Sequence, residues 1–188
     1  MLRDLVMKNR SYRRFDQRTP ISRDELVELV DLARCSPSGM NLQPLRYRLV
    51  YDAETNAAVF DCLAWAGYLK DWPGPPDGER PTAYVIVLGD TQLTKTFGCD
   101  HGIACQTMLL GAAEKGYGGC MIGSINHRKL QEALAIPERY QILLVVALGK
   151  PVEEIVLEEA EGGDIHYYRD DSQKHHVPKR PLDELILD

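Results

Sequence analysis

The most informative stretch of this chain is Ser36-Pro37-Ser38-Gly39-Met40-Asn41-Leu42-Gln43-Pro44. Its two prolines fix φ and remove backbone donors, while Gly39 allows a flat ligand to approach the backbone closely. The side chains of Ser38, Asn41 and Gln43 add hydroxyl and amide groups that can bond to a polyol. The stretch therefore predicts a loop that forms one polar wall of a binding site.

A second binding motif lies upstream, at Asn9-Arg10-Ser11-Tyr12-Arg13. It places two guanidinium groups close to a hydroxyl, and the planar donor fork of arginine matches phosphate oxygens. The other end of the chain is also basic, with Lys174, Lys179 and Arg180. If the two ends meet in space, an otherwise acidic chain gains one positive pocket sized for a single phosphate. The alternative is that these basic residues are solvated surface.

These two stretches and two further motifs follow one another along the chain at residues 9–13, 36–44, 100–119 and 178–182. In that order they resemble the nitroreductase family of FMN-dependent, NAD(P)H-consuming oxidoreductases. The third motif is Asp100-His101-Gly102-Ile103-Ala104-Cys105-Gln106 leading into Gly116-Tyr117-Gly118-Gly119, and the fourth is the basic tail Pro178-Lys179-Arg180-Pro181-Leu182. The resemblance covers nearly all of the 188 residues. Two positions depart from it, because Asn9 stands where the family usually has its first arginine and Leu45 replaces the usual tryptophan.

The resemblance implies an α+β fold, with a central mixed, mostly antiparallel sheet flanked by helices. Two chains would exchange terminal arms in an intertwined homodimer with two equivalent sites. A single domain is expected over residues 1–188, with 150–188 as a C-terminal extension packing on the partner protomer. This extension is polar and poorly periodic, and such a segment usually needs an external surface on which to order. By itself, the alternation of helices and apolar strands would instead suggest a doubly wound parallel sheet.

Local patterns predict the main helices and strands. Ser22-Arg23-Asp24-Glu25 is a capping box that begins a helix at residue 22. Tyr84 to Leu88 is a continuous apolar run, which is typical of a strand buried on both faces at the sheet centre. The remaining predicted elements are strands at Tyr47–Tyr51, Cys120–Gly123 and Ile142–Leu148, helices at 53–67 and Asp100–Lys115, and a helix capped by Asn126 that ends near Pro137.

The resemblance also implies which residues hold FMN. Arg10 and Arg13 would hold its phosphate or the pyrimidine edge of its ring. The hydroxyl of Ser11 would bond to the phosphate or the ribityl chain. Lys179 or Arg180 would close the phosphate pocket.

Two further groups of residues are expected to contact the flavin. The first group comes from the other protomer and comprises Pro37, Ser38, Gly39 and Asn41. The second is the segment Met121, Ile122, Gly123 and Ser124, whose backbone N–H groups would face the N5 edge of the ring. A donor there stabilises negative charge on the reduced flavin. The alternative for Met121 and Ile122 is ordinary core packing.

The function implied by the resemblance is FMN-dependent NAD(P)H oxidoreduction. Either NADH or NADPH would reduce the flavin, and an electron-poor small molecule such as a nitroaromatic or a quinone would then take the hydride in a ping-pong cycle. Because the cofactor carries this chemistry, a catalytic triad is not required. The alternatives are narrower flavin chemistry on the same fold, namely dehalogenation, enone reduction or flavin destruction, or a flavin-binding module without turnover.

Composition argues against several other classes of protein. A net charge of −6 is unlike that of a nucleic-acid-binding domain, and no uninterrupted apolar run approaches the roughly 20 residues that span a bilayer. Five cysteines without a framework spacing favour a reducing cytoplasm. Cys99, His101 and Cys105 offer only three candidate zinc ligands, so no metal is expected.

Two polar segments near the C-terminus have open interpretations. His175-His176 is expected to lie in a solvent-exposed loop. The aromatic segment His166-Tyr167-Tyr168-Arg169 is expected to line the mouth of a substrate site or to pack at a dimer seam, because aromatic residues in a polar tail commonly cover another surface.

Overall fold

The computed structural model describes residues 1–187. The helices in this part of the chain are α1 Leu2–Lys8, α2 Arg23–Arg34, α3 Ala53–Phe60, α4 Asp100–Glu114 and α5 His127–Ala133. The strands are β1 Leu45–Val50, β2 Ala83–Asp90, β3 Gly118–Ile122, β4 Tyr140–Gly149, β5 Ile155–Glu159, β6 Tyr168–Arg169 and β7 His175–Lys179. None of the helices formed by these residues is long and apolar enough to cross a membrane.

The main sheet has the strand order β1-β2-β4-β3, and each of its neighbouring pairs is antiparallel. Every residue of the interior strand β2 is buried. Its alternate side chains enter two cores: Tyr84 and Ile86 pack on the side of α3 and α5, whereas Val85 and Val87 pack on the side of α2 and α4. The α+β fold is therefore confirmed. The doubly wound parallel sheet is wrong, because burial on both faces arises here from helices on both sides of an antiparallel sheet.

The predicted helix boundaries are correct where a capping group fixes them. The capping box of α2 is present, with the N–H of Glu25 donating to Ser22 Oγ at 3.3 Å and the N–H of Ser22 donating to the Glu25 carboxylate at 2.8 Å. By contrast, the helix predicted over 53–67 ends at Phe60. The chain beyond it pairs Leu63 with Ile125, and Ala66 has a φ of 38°, which is incompatible with continued helix.

The C-terminal segment forms a second, smaller sheet of order β5-β7-β6, in which β5 and β7 are parallel. The segment that leads into β5 is joined to the N-terminal segment of its own chain, because Phe15 pairs with Pro151 and the N–H of Val152 donates to Arg14 O at 3.1 Å. The two ends of the chain therefore meet. Packing of residues 150–188 on a partner protomer stays a prediction.

Candidate active site

A cavity of about 410 Å³ lies where the two ends of the chain meet, beside α4 and β3. The N-terminal segment contributes basic and polar side chains, and the second sheet contributes aromatic and basic ones. The lining residues are Asn9, Arg10, Ser11, Arg13, Gln106, Leu109, Gly119, Met121, Ile155, Tyr167, His175, Val177 and Lys179. We call this space the terminal cavity.

Three cationic side chains line the terminal cavity, and no aspartate or glutamate is among its lining residues. The cations are those of Arg10, Arg13 and Lys179. Arg10 is held by a hydrogen bond of 2.6 Å from Nη2 to Val6 O, while its buried Nε has no partner. Arg180 lies outside the cavity, where it is exposed and pairs with Glu184 at 3.3 Å. The cavity therefore has the charge and donors that an anionic phosphate requires.

A buried carboxylate, Glu153, holds this arrangement together. Its side chain is 1% exposed and accepts hydrogen bonds from the backbone N–H of Arg13 and, at 3.2 Å, of Arg14. Arg169 Nη2 also donates to it at 3.0 Å, and the Arg169 guanidinium lies 4.2 Å from the ring centre of Trp72. Burial lowers the pKa of Arg169, and the Glu153 carboxylate opposes that shift. Sequence reasoning missed Glu153, because nothing distinguishes it from the other acids between residues 153 and 171.

His175 is part of the cavity wall and not of an exposed loop, so the prediction for His175-His176 is wrong. It lies in β7 and is 1% exposed. Its Nε2 is 3.3 Å from Arg13 Nη1. Because a guanidinium can only donate, Nε2 accepts and Nδ1 carries the proton. Burial, helped by the charges of Arg13 and Arg169, lowers the pKa of His175 to about 4, so the ring is neutral at neutral pH.

Tyr167 places the aromatic segment His166–Arg169 at the terminal cavity. Its ring centre lies 5.3 Å from that of His175 and 5.1 Å from the Arg13 guanidinium. Its hydroxyl accepts a hydrogen bond of 3.2 Å from the N–H of Tyr68. Two roles were expected for this segment, at the mouth of a substrate site or at a dimer seam. The position of Tyr167 in the cavity wall fits the first of them. A role at a dimer seam stays a prediction.

Strand β3 brings Gly119 and Met121 to the terminal cavity. Ser11 forms a parallel bridge with Gly119, and the N–H of Tyr12 donates to Gly119 O at 3.1 Å. A Cβ at position 119 would lie 2.2 Å from Ala147 O, so only glycine fits there. The sequence contained this signal in its Gly-x-Gly segment, although the predicted contact segment began two residues later.

The rest of the predicted segment 121–124 does not line the cavity. The side chain of Ile122 is in the core, and Gly123 and Ser124 are exposed beyond the end of β3. A Cβ on Gly123 would make an ordinary contact of 3.8 Å with Leu144, so the fold of this chain does not itself require glycine there. Contact of these backbone groups with a flavin stays a prediction.

The loop Ser36–Pro44 lies apart from the terminal cavity within one chain. Pro37 and Ser38 line a different cavity of about 160 Å³. Gly39 and Asn41 belong to an exposed 3-10 turn, Gly39–Asn41. Within one chain, the predicted site residues from the two chain ends share the terminal cavity, but the loop Ser36–Pro44 does not reach it. Approach of the loop from a second protomer stays a prediction.

This loop has a strained backbone that Asp100 holds in place. Met40, Asn41 and Gln43 have φ values of 49°, 55° and 48°. Each such non-glycine residue costs on the order of 1–3 kcal/mol. The buried Asp100 carboxylate accepts from Ser38 Oγ at 2.6 Å and from the N–H of Gly39 at 3.0 Å. Asp100, which belongs to the third sequence motif, therefore positions the loop Ser36–Pro44.

The cysteines offer no metal site among residues 1–187, where no group of three or more His, Cys, Asp or Glu side chains could hold an ion. Cys105 is buried, and burial raises the pKa of its thiol to about 12. The thiol therefore stays protonated at neutral pH.

Comparison with known proteins defines the class of protein to which this fold and site belong. A sequence model described as the nitroreductase family matches residues 6–72 and 79–150, which is most of the chain. The chain belongs to the nitroreductase family.

Two curated relatives illustrate this membership. YodC of Bacillus subtilis (strain 168), which is named as an NAD(P)H nitroreductase, is 26% identical over 180 residues, covering 80% of this chain and 89% of the relative. The CLA biosynthesis enone reductase of Lactiplantibacillus plantarum is 25% identical over 195 residues, covering 81% and 87%.

The fold is also that of a solved structure, an FMN-dependent nitroreductase from Clostridium difficile R20291. The TM-score is 0.65 at 20% sequence identity, with 85% of this chain and 91% of that chain covered.

Proposed function

We propose that this protein is an FMN-dependent NAD(P)H oxidoreductase that reduces small electron-poor acceptors such as nitroaromatics and quinones. One observation carries the proposal: the terminal cavity collects the cations of Arg10, Arg13 and Lys179 on an acidic protein, with no acidic side chain among its lining residues. The names of YodC and of the Clostridium difficile enzyme support the same chemistry.

The terminal cavity fits FMN in size and in the chemistry of its donors. Its volume of about 410 Å³ lies within the roughly 300–1,000 Å³ typical of small-molecule and cofactor sites. In our proposal Arg10, Arg13 and Lys179 bind the phosphate, and Ser11 bonds to the phosphate or the ribityl chain. Bound FMN would supply the two-electron carrier that accepts a hydride from NAD(P)H and passes it to the acceptor.

The protein's own part in this reaction is binding, orientation and exclusion of water. Glu153 fixes the backbone at Arg13 and Arg14, and neutral His175 accepts from Arg13 without adding charge. Met121 and the segment through Ser124 would face the ring, and the loop containing Pro37, Ser38, Gly39 and Asn41 would close the site from a second protomer. We therefore propose a homodimer as the active form.

Enone reduction is a second candidate, favoured by the Lactiplantibacillus plantarum relative. Both candidates need the same cofactor and reductant, and they differ only in the acceptor. Turnover of an α,β-unsaturated ketone should therefore be compared with turnover of a nitroaromatic and a quinone, using the same FMN-saturated protein.

Replacing either cavity arginine tests the proposed phosphate contact. Arg10→Ala and Arg13→Ala should each weaken FMN binding by about ten- to a hundredfold, because a hydrogen bond to a charged group contributes on the order of 1.5–3 kcal/mol. Quenching of FMN fluorescence on titration with apoprotein measures the affinity. Arg180→Ala is the matched control, since Arg180 lies outside the cavity, and it should bind FMN like the parent. Unchanged affinity in both Arg10→Ala and Arg13→Ala would refute the proposal.

A further inference from the structure

The Arg13 side chain is held in the wall of the terminal cavity by three groups, none of which is an anion. Its Nη1 donates to Ser11 O at 3.1 Å and to His175 Nε2 at 3.3 Å. The guanidinium also lies 5.1 Å from the ring centre of Tyr167, close enough for a cation–π contact. Arg13 forms no ion pair with any aspartate or glutamate among residues 1–187. The guanidinium is therefore oriented, while its charge is not neutralised.

The next residue, Arg14, has a different arrangement. Its Nε and Nη2 donate to the two oxygens of the Glu79 carboxylate at 2.5 and 2.8 Å. The Glu153 carboxylate reaches only the backbone N–H groups of Arg13 and Arg14, and it pairs with the guanidinium of Arg169. Carboxylates thus neutralise the guanidinium groups of Arg14 and Arg169, whereas a histidine takes the corresponding place beside Arg13.

His175 is suited to this place because the second sheet fixes its position and its burial keeps the ring neutral. Its backbone N–H donates to Glu154 O at 2.9 Å, and it lies opposite Ile155 in β5 and Arg169 in β6. Its buried Nδ1 has no hydrogen-bond partner among residues 1–187. Because an unpaired buried donor costs stability, packing alone does not favour histidine at this position.

The absence of an anionic partner for Arg13 has a consequence for ligand binding. An anion gains more Coulomb energy from a guanidinium whose charge is free than from one that is already paired with a carboxylate. On the basis of the function proposed above, we propose that His175 is a positioning residue for FMN. It orients the Arg13 guanidinium and leaves its full charge available to the anionic cofactor, so it acts through Arg13.

Three substitutions of His175 test this role, with FMN affinity measured by quenching of FMN fluorescence. His175→Phe keeps an aromatic ring beside Tyr167 but removes the acceptor, and it should weaken FMN binding by about tenfold. His175→Gln restores a neutral acceptor and should bind FMN within about threefold of the parent. His175→Glu has nearly the shape of the Gln variant but carries a charge that would pair with Arg13. At about pH 8, where a glutamate is ionised, it should bind FMN at least about tenfold more weakly than His175→Gln.

A double variant separates action through Arg13 from an independent effect of His175. In Arg13→Ala there is no guanidinium to orient, so the further change His175→Phe should alter FMN affinity by less than about twofold. Circular dichroism of each apoprotein checks that the variants fold. If His175→Phe does not fold, the isosteric pair His175→Gln and His175→Glu still tests whether a neutral partner for Arg13 is required.

The possible outcomes distinguish this role from the function on which it rests. Failure of the parent to bind FMN would overturn both. The role of His175 alone would be overturned if Arg13→Ala weakens FMN binding but His175→Phe binds FMN like the parent. Equal FMN affinity of His175→Gln and His175→Glu would also overturn it, as would a loss from His175→Phe that persists in the Arg13→Ala background.

Discussion

His175 and His176 are neighbours in β7, and their surroundings shift their pKa values in opposite directions. Burial lowers the pKa of His175 to about 4. Hydrogen bonding to Glu158, with Nδ1 and Oε2 2.8 Å apart, raises the pKa of His176, and Asp170 adds to that shift. One imidazole therefore favours folding when it is neutral and the other when it is charged.

These shifts predict opposite effects of pH on stability. Between about pH 4 and 6.5 the unfolded chain binds more protons at residue 175 than the folded chain, so the parent loses stability there as pH falls, by up to about 1.4 kcal/mol per pH unit. His175→Gln should lose less stability than the parent in this range.

At residue 176 the folded chain binds more protons than the unfolded chain. The stability that His176 contributes is therefore present below the unfolded pKa near 6.5 and is lost as pH rises through the raised pKa of the folded state.

Urea unfolding at about pH 5, 6.5 and 8 measures both effects. Below pH 6.5 the free energy of unfolding should fall less with decreasing pH in His175→Gln than in the parent. Above pH 6.5 it should fall less with increasing pH in His176→Gln than in the parent. His127→Gln is the control, because His127 is exposed on α5. A profile for His175→Gln that is parallel to that of the parent below pH 6.5 would show that the His175 pKa is not depressed in the folded state.

Gly119 should tolerate no side chain, whereas Gly123 should. A Cβ at Gly119 would meet Ala147 O at 2.2 Å, and backbone on both paired strands would have to move. Gly119→Ala is therefore expected to lower the free energy of unfolding by about 1–3 kcal/mol or more. Gly123→Ala, with its nearest contact at 3.8 Å, should change it by less than about 0.5 kcal/mol. Urea unfolding of the two variants checks this difference, and equal losses would contradict it.

At the scale of elements, the loop Ser36–Pro44 depends on the first residue of α4. Asp100→Ala removes the acceptor for Ser38 Oγ and for the N–H of Gly39. The strained backbone conformation of the loop then loses two hydrogen bonds that stabilise it. We expect a loss of about 1–3 kcal/mol in the free energy of unfolding, together with faster amide hydrogen exchange at Gly39 and Gln43.

A matched control variant should remove a carboxylate from the start of another helix without touching the loop Ser36–Pro44. Asp52 caps α3 by accepting from the N–H of Thr55 at 2.8 Å and does not contact the loop. Asp52→Ala should cost about 1 kcal/mol and leave exchange in the loop unchanged. If Asp100→Ala also left loop exchange unchanged, Asp100 would not be what holds the loop.

Sequence patterns predicted the elements that local chemistry defines. The capping box at Ser22 and the apolar run from Tyr84 gave a correct helix start and a correct central strand. They could not give strand direction, since burial on both faces occurs in parallel and antiparallel sheets alike when helices cover both sides. They also could not end α3 at Phe60, because the chain there is drawn into a bridge between Leu63 and Ile125 that is distant in sequence.

The candidate site was predictable to the same extent. Residue type alone was enough to predict the phosphate-binding candidates that the structure brings together, namely Arg10, Ser11, Arg13 and Lys179. Residue type was not enough for Glu153 and His175, because their roles arise from burial against segments more than a hundred residues away in the sequence. Tertiary contacts of this kind leave no local pattern.

At the scale of the whole molecule, the separation of the terminal cavity from the loop Ser36–Pro44 motivates the last prediction. If each flavin site takes its cavity from one protomer and its loop from the other, sedimentation should give twice the 21.2 kDa chain mass wherever flavin stays bound. Exposed apolar side chains at Leu182, Leu185, Ile186 and Leu187 favour such an assembly. A flavin-loaded monomer would refute it.

Subunit mixing tests the shared site directly. Arg13→Ala removes a cavity side chain, and a Ser38→Ala, Asn41→Ala double variant removes loop side chains, so each homodimer alone should bind FMN poorly. In a mixed dimer, one site would combine the intact cavity of one chain with the intact loop of the other, and the second site would carry both defects. After unfolding and refolding of an equal mixture, about half of the dimers are mixed, so roughly one quarter of all sites should recover parental affinity. Recovery is expected only if cavity and loop come from different chains, because a site built within one chain would remain defective in every dimer.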